Sequence, residues 1–324
     1  MATYKGIKGV KVVTKATDPT ASEALATVWY NSTSPTALKY AIQGTAAWAS
    51  ATSLPAATNN GAGFGIVTAA MSAGGYTPGG ATNNCQTYNG TTWTEVNNMT
   101  RSPTEYSNRG AGTLTAGVTW GGTPVTGKTE NWDGTSWTAS GVMNTGRYTT
   151  AAMGIQTAAM AAGGYIDPAT ADQSETYNGT AWTSKNDIQT GRQGLAGAGT
   201  TTAAVIFGGN PNSTASETYD GTSWSTTNSL NTGRSYAMGT GDSVPVAICF
   251  GGQNPSWSGI TNTEKYDGTC WSEVAALATA RGDGQEAGTG KTSALCIGGE
   301  GPPRTAVVEE WSDPVYTIKT VTVS

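Results

Sequence analysis

Residues 203–225 read Ala-Ala-Val-Ile-Phe-Gly-Gly-Asn-Pro-Asn-Ser-Thr-Ala-Ser-Glu-Thr-Tyr-Asp-Gly-Thr-Ser-Trp-Ser. Ala203–Phe207 is a short apolar run that ends at Gly208-Gly209. After a polar loop, Ser216–Tyr219 alternates as a half-buried strand does. Asp220-Gly221 then signals a two-residue hairpin of type I′, whose central residues both need φ > 0. Thr222–Ser225 is the returning strand. With the small, flexible Gly197–Thr200 ahead of it, the stretch predicts four short strands in one sheet.

The phrase recurs. Gly pairs begin at Gly74, Gly121, Gly163, Gly208, Gly251 and Gly298, and the matching tryptophans are Trp48, Trp93, Trp137, Trp182, Trp224 and Trp271. A period near 45 residues defines a repeat architecture. Four strands per unit, arranged around an axis, describe a β-propeller, and closing the ring limits exposed sheet edges. The first strands read Gly110-Ala111-Gly112, Gly197-Ala198-Gly199 and Gly239-Thr240-Gly241. Residues this small suit the crowded axis. The third-strand aromatics Tyr88, Trp132, Tyr177, Tyr219, Tyr266 and Trp311 are expected to fill the gaps between units.

Composition excludes several functions. The chain has 324 residues, 12% charged, with a net charge of −5, which argues against a nucleic-acid groove. It has no histidine, so the commonest general base and metal ligand are missing. Cys85, Cys249, Cys270 and Cys296 form no CxxC pair and are expected to be buried structural thiols; no metal and no cofactor is expected. The first residues carry no apolar secretory signal, and no run of 18 apolar residues occurs, so membrane insertion is not expected.

At the level of Gly-Gly, then Tyr, then Trp, the chain resembles the Kelch repeat family over about residues 46 to 311. The resemblance implies a ring of four-stranded blades. It does not imply an activity, because Kelch propellers include an oxidase, actin binders and ubiquitin-ligase adaptors. The copper site of the Kelch-type oxidase needs two histidines and is ruled out here.

The fold expected is therefore all-β: a Kelch-like propeller of six blades, with seven as the alternative. In the six-bladed ring, the strand at Trp48 completes the last blade. In the alternative, Val315–Val323 does so, and strands at Thr27–Tyr30 and Leu38–Ile42 contribute to a seventh. The domain division expected is 1–45, an N-terminal β-hairpin segment, and 46–324, the propeller.

Two residue sets invite a functional reading. Arg147, Arg192, Arg234 and Arg281 each lie ten residues after a Trp. They could form a ring of face arginines for an anionic glycan. Glu130, Glu175, Glu217, Glu264 and Glu309, each just ahead of a third-strand aromatic, favour inter-blade ion pairs instead. The loops after each Gly pair vary in length and sequence and offer Tyr76, Tyr165, Asn210 and Trp257 as candidate ligand contacts. Asp167, Asp172, Asp242, Asp283 and Glu286 are loop acids with no spacing that singles out a catalytic pair. Gly288–Ser293 departs from a phosphate-binding loop, since Gln285 stands where a glycine is required and no helix follows. Asn89 and Asn178 sit in formal glycosylation sequons that read better as hairpin turns.

Outside the repeat, Ala26–Asn31 and Leu38–Tyr40 read as a β-hairpin around Ser34-Pro35. Its Trp-Tyr-Asn…Leu-Lys-Tyr pattern is similar to hairpins in the N-terminal parts of bacteriophage tail and fibre proteins. The Glu-Thr-Tyr-Asn-Gly-Thr-x-Trp-Thr phrase resembles propellers encoded by phages of aquatic bacteria. That resemblance implies a non-catalytic virion protein made in the host cytoplasm. It would be tail- or fibre-associated, docked on other virion proteins through residues 1–45, with propeller loops facing a host-surface glycan. Homo-oligomerisation is left open. The alternatives are a capsid decoration protein, a glycan depolymerase using loop carboxylates, and a bacterial adhesion propeller.

Overall fold

A computed structural model describes residues 12–19, 28–33, 37–102, 105–301, 303–313 and 316–321. Seven four-stranded sheets account for its strands, and among the described residues the one helical element is a 3-10 turn at Val244–Val246. Contacts divide the chain into two units, residues 48–312 and a smaller one combining 1–47 with 313–324.

In the larger unit, sheet 1 holds Ala62–Ile66, Ala69–Thr77, Gly80–Tyr88 and Trp93–Val96. Sheet 2 holds Arg109–Thr113, Ala116–Trp120, Thr129–Trp132 and Trp137–Ala139. Sheet 3 comprises Ala151–Ile155, Ala158–Ala162, Ser174–Tyr177 and Trp182–Lys185. Sheet 4 comprises Ala196–Gly199, Ala204–Phe207, Ser216–Tyr219 and Trp224–Thr227. Met238–Thr240, Ile248–Phe250, Thr263–Tyr266 and Trp271–Val274 form sheet 5. Sheet 6 takes Gln285–Gly290, Ser293–Ile297 and Val308–Ser312 from one stretch of chain and Ala47–Ala51 from the other end of the unit. The expected Trp48 closure is thus the one adopted.

First strands contact one another in sequence, and the first strand of sheet 6 meets that of sheet 1, so the six sheets form a closed, propeller-like cycle. Hydrophobic clusters lie between neighbouring sheets. Met153 and Met160 of sheet 3, for example, pack with Ile206, Tyr219 and Trp224 of sheet 4. The fourth-strand indoles also bridge sheets. Trp182 Nε1 donates to Thr129 Oγ1 at 2.8 Å, Trp271 to Ser216 Oγ at 3.1 Å and Trp48 to Thr263 Oγ1 at 2.9 Å. Each acceptor opens the third strand of the preceding sheet. One side chain therefore supplies apolar area and a directional tie between sheets.

Three expectations need correction. The Asn/Asp-Gly turns are not two-residue type I′ hairpins: Tyr219 pairs with Trp224, leaving four residues between them. Asp220 Oδ1 accepts the Thr222 and Ser223 amides at 2.8 Å, so the side chain closes the turn and, of the pair, only Gly221 has positive φ. Cys85, Cys249 and Cys296 are buried free thiols, but Cys270 is exposed because it lies in such a turn. Finally, the boundary at 46–324 is wrong at its far end: Tyr316–Thr320 pairs antiparallel with Ala37–Gln43 in the smaller unit, so it is not a strand of the repeat.

In the smaller unit, Val28–Asn31 pairs antiparallel with Ala37–Gln43 as expected, and parallel with Val12–Lys15. The expected turn at Ser34-Pro35 lies outside the described residues. Asp18 explains the Trp-Asn-Lys spacing. Its carboxylate accepts from Trp29 Nε1 at 3.1 Å, Asn31 Nδ2 at 2.8 Å and Lys39 Nζ at 2.7 Å.

Candidate recognition face

The variable loops and the connections into each sheet share one end of the six-sheet unit. The residue after each Gly pair (Tyr76, Thr123, Tyr165, Asn210, Gln253, Glu300) bridges the residue three before a first strand (Asn59, Tyr106, Tyr148, Gln193, Ser235, Gly282). This approach requires glycine. A Cβ on Gly251, at φ +59°, would stand 2.5 Å from the Arg281 carbonyl.

The next residue in each connection, Asn60, Ser107, Thr149, Gly194, Tyr236 or Asp283, has left-handed backbone. Their peptides bond head to tail. Ser107 donates to Asn60, Thr149 to Ser107, Gly194 to Thr149, Tyr236 to Gly194, Asp283 to Tyr236 and Asn60 to Asp283, at 2.7–3.4 Å. Six amides thus make a closed girdle around the axis. Next to it lies a cavity of about 360 Å³ lined by first strands of all six sheets.

Around the girdle stand three aromatic pairs: Tyr76 with Tyr106 (5.1 Å between rings), Tyr148 with Tyr165 (5.3 Å) and Tyr236 with Trp257 (6.0 Å). Trp257 is 57% exposed, on a loop held by Asn254 Oδ1, which accepts the Ser256 and Ser258 amides. Tyr76, Tyr165 and Asn210 are half-buried at equivalent positions. All four candidate contacts therefore lie on one face. Burial, and then the Asp283 carboxylate, push the Tyr236 phenol up to about 12, so it stays a neutral hydrogen-bonding group.

The four arginines do not belong to this face. Arg147, Arg192, Arg234 and Arg281 are buried. Arg147 pairs with Glu175 and Arg192 with Glu217 at 2.6 Å, Arg281 with Glu309 at 2.7 Å, and Arg234 with Glu264. A guanidinium in the interior persists only when charged and polar groups surround it. Here Arg192 also donates to the Gly208 and Ala215 carbonyls, while Glu217 accepts the Gln189 amide. Each pair clamps a connection onto the sheet it enters, so the reading of these residues as an exposed anion-binding ring is withdrawn. Arg101 plays the same part for sheet 2, paired with Glu130 at 3.5 Å. Eight residues after Trp93 instead of ten, it broke the sequence spacing. In sheet 1 both partners are replaced together, by Thr58 and Gln86.

The acids are dispersed. Asp167 and Asp172 are in the sheet 3 loop, whereas Asp242 is in the first hairpin of sheet 5 and borders the axial cavity. Glu286 is not a loop acid. It lies on the first strand of sheet 6, lines the cavity, and replaces the Gly63, Gly110, Ala152, Gly197 and Gly239 of the other units. Burial pushes Glu286 up to about 7 and Asp283 up to about 6; Arg109, 3.7 Å from Asp283, opposes both shifts. Lys291 sits in a strand turn and donates to the Pro245 carbonyl. No cluster of three metal-ligating side chains occurs, and no helix is long and apolar enough to cross a membrane, among the described residues.

Sequence reasoning overlooked Arg304. It lies in the variable Glu300–Ala306 loop, outside every repeat position, so comparison of units could not find it. The remaining signal was arithmetic: seven arginines against five repeated glutamates. No protein-family model matches the chain, and no curated protein matches it.

Proposed function

We propose that residues 48–312 form a six-bladed Kelch-type propeller of a non-catalytic bacteriophage virion protein, tail- or fibre-associated, that recognises a host-surface glycan through its loop face. The observation that carries the reading is the set of three aromatic pairs around the girdle, one ending in the exposed Trp257. Flat rings offer apolar faces for pyranose stacking at low conformational cost, and neighbouring Asn, Ser and Thr groups supply hydrogen bonds. Support for the ring reading comes from the cycle of first strands and the six-amide girdle. The virion assignment is supported by the resemblance of Trp29-Tyr30-Asn31…Leu38-Lys39-Tyr40 to phage tail and fibre hairpins, and attachment to virion neighbours is assigned to that segment.

Binding of the purified chain to surface polysaccharide of candidate hosts tests recognition. Trp257→Ala is expected to weaken it about tenfold or more, the size typical of an exposed aromatic anchor. Unchanged binding by Trp257→Ala and Tyr165→Ala would remove the loop face from the account. Locating the chain in the density of purified phage particles tests the virion assignment, and its absence from them would reject it.

A further inference from the structure

On the same face, the loops of sheets 5 and 6 border a second, open cavity of about 330 Å³, with Ser258, Thr279, Gly301, Arg304 and Thr305 in its lining. Among the described residues Arg304 is the one arginine without a carboxylate partner; the other six are ion-paired and buried. Its guanidinium is nevertheless held in place. Nε donates to Asn59 Oδ1 at 2.7 Å, and the group lies 4.9 Å from the centre of the Tyr76 ring. Asn59 is fixed in turn, because its Nδ2 donates to the Glu300 carboxylate. Glu300 is thus engaged through its amide neighbour and does not neutralise Arg304 directly.

This arrangement uses one edge of the guanidinium and leaves Nη1 and Nη2 without acceptors among the described residues. A pre-oriented planar fork matches the two oxygens of a carboxylate, and aromatic support reduces the freedom lost on binding. Ser258, Thr279 and Thr305 line the same cavity, and Ser258 follows Trp257 directly. We propose that this cavity is a subsite for the carboxylate of an acidic sugar, with Arg304 as the group that grips it. The proposal rests on the glycan-recognition reading and specifies its ligand class.

The test uses the full chain and matched probes: trigalacturonic acid against its neutral methyl ester, and sialyllactose against lactose, titrated calorimetrically. At least one acidic probe is expected to bind about tenfold tighter than its neutral partner, with an advantage that shrinks as salt rises. Arg304→Gln should abolish the advantage while leaving neutral-probe affinity and the melting temperature close to wild type. Arg304→Lys should keep part of it. An acidic advantage that survives Arg304→Gln, or wild-type binding without any advantage, overturns the subsite and leaves glycan recognition standing. Failure of every probe, acidic and neutral, overturns both. Tighter Arg304-dependent binding of a Glu-rich peptide would reassign the site to a protein partner and overturn the sugar class.

Discussion

Glu286→Gln tests the axial cavity most directly. Glu286 is the one carboxylate at a position where the other five units have Gly or Ala, and burial raises it from 4.5 to about 7. A carboxyl group raised on folding binds its proton more tightly in the native state. Between these two values the native state holds more protons than the unfolded chain, so stability falls as pH rises. The contribution is fully present below about pH 4.5 and is lost by about pH 7. At about 1.36 kcal/mol per pH unit, the interval corresponds to about 3 kcal/mol. The side chain keeps partial access to the cavity, which reduces the figure to about 2 kcal/mol. Glutamine keeps the shape and cannot ionise. Thermal melts of wild type and Glu286→Gln at pH 5 and pH 8 should therefore diverge. At pH 5 the two should melt within about 1 °C of each other. At pH 8 the variant should melt about 3 °C higher, given the usual unfolding entropy per residue. Asp283, raised to about 6 by burial, is retained, so the variant should still lose some stability between pH 4 and 6. Parallel melting curves across the range, or a variant less stable at pH 8, would refute the assignment of Glu286 to a poorly solvated site.

Two further outcomes follow from the buried charges and thiols. Arg234→Met should cost about 3–5 kcal/mol in urea unfolding, because it strands the fully buried Glu264. The double change Arg234→Thr with Glu264→Gln, which copies the Thr58 and Gln86 of sheet 1, should cost clearly less; equal losses would refute the clamp. With a thiol reagent at pH 8, the native protein should expose one fast-reacting cysteine, Cys270, and four after denaturation. Burial holds Cys85 and Cys249 up at about 12 and Cys296 at about 11. Fast modification that persists in Cys270→Ser would contradict this.

Most of the repeat was legible because its determinants are short-range. The Gly pair, the alternating Ser-Glu-Thr-Tyr strand and the Asp-Gly-Thr turn each depend on residues within a few positions, and recurrence multiplies a weak local signal. Even the misread turn type lay in which group satisfies the backbone, since a side-chain oxygen does so at Asp220. The candidate site was half legible. Tyr76, Tyr165, Asn210 and Trp257 were recognisable by their place after Gly pairs. The arginines were conspicuous for the wrong reason: a regular spacing also marks groups that close the interior.

By itself, then, the sequence determined the period, the all-β class, the four-strand unit and the Trp48 strand as a candidate closure. Tertiary structure decided the rest. It seated Tyr316–Thr320 outside the repeat, recruited Arg101 from an irregular position and joined six distant amides into one girdle. It also separated six paired arginines from Arg304. The physical reason is common to all four. Whether a charge is buried and matched, or which strand edge is satisfied, depends on groups brought together from tens or hundreds of residues apart, and no local pattern encodes that proximity.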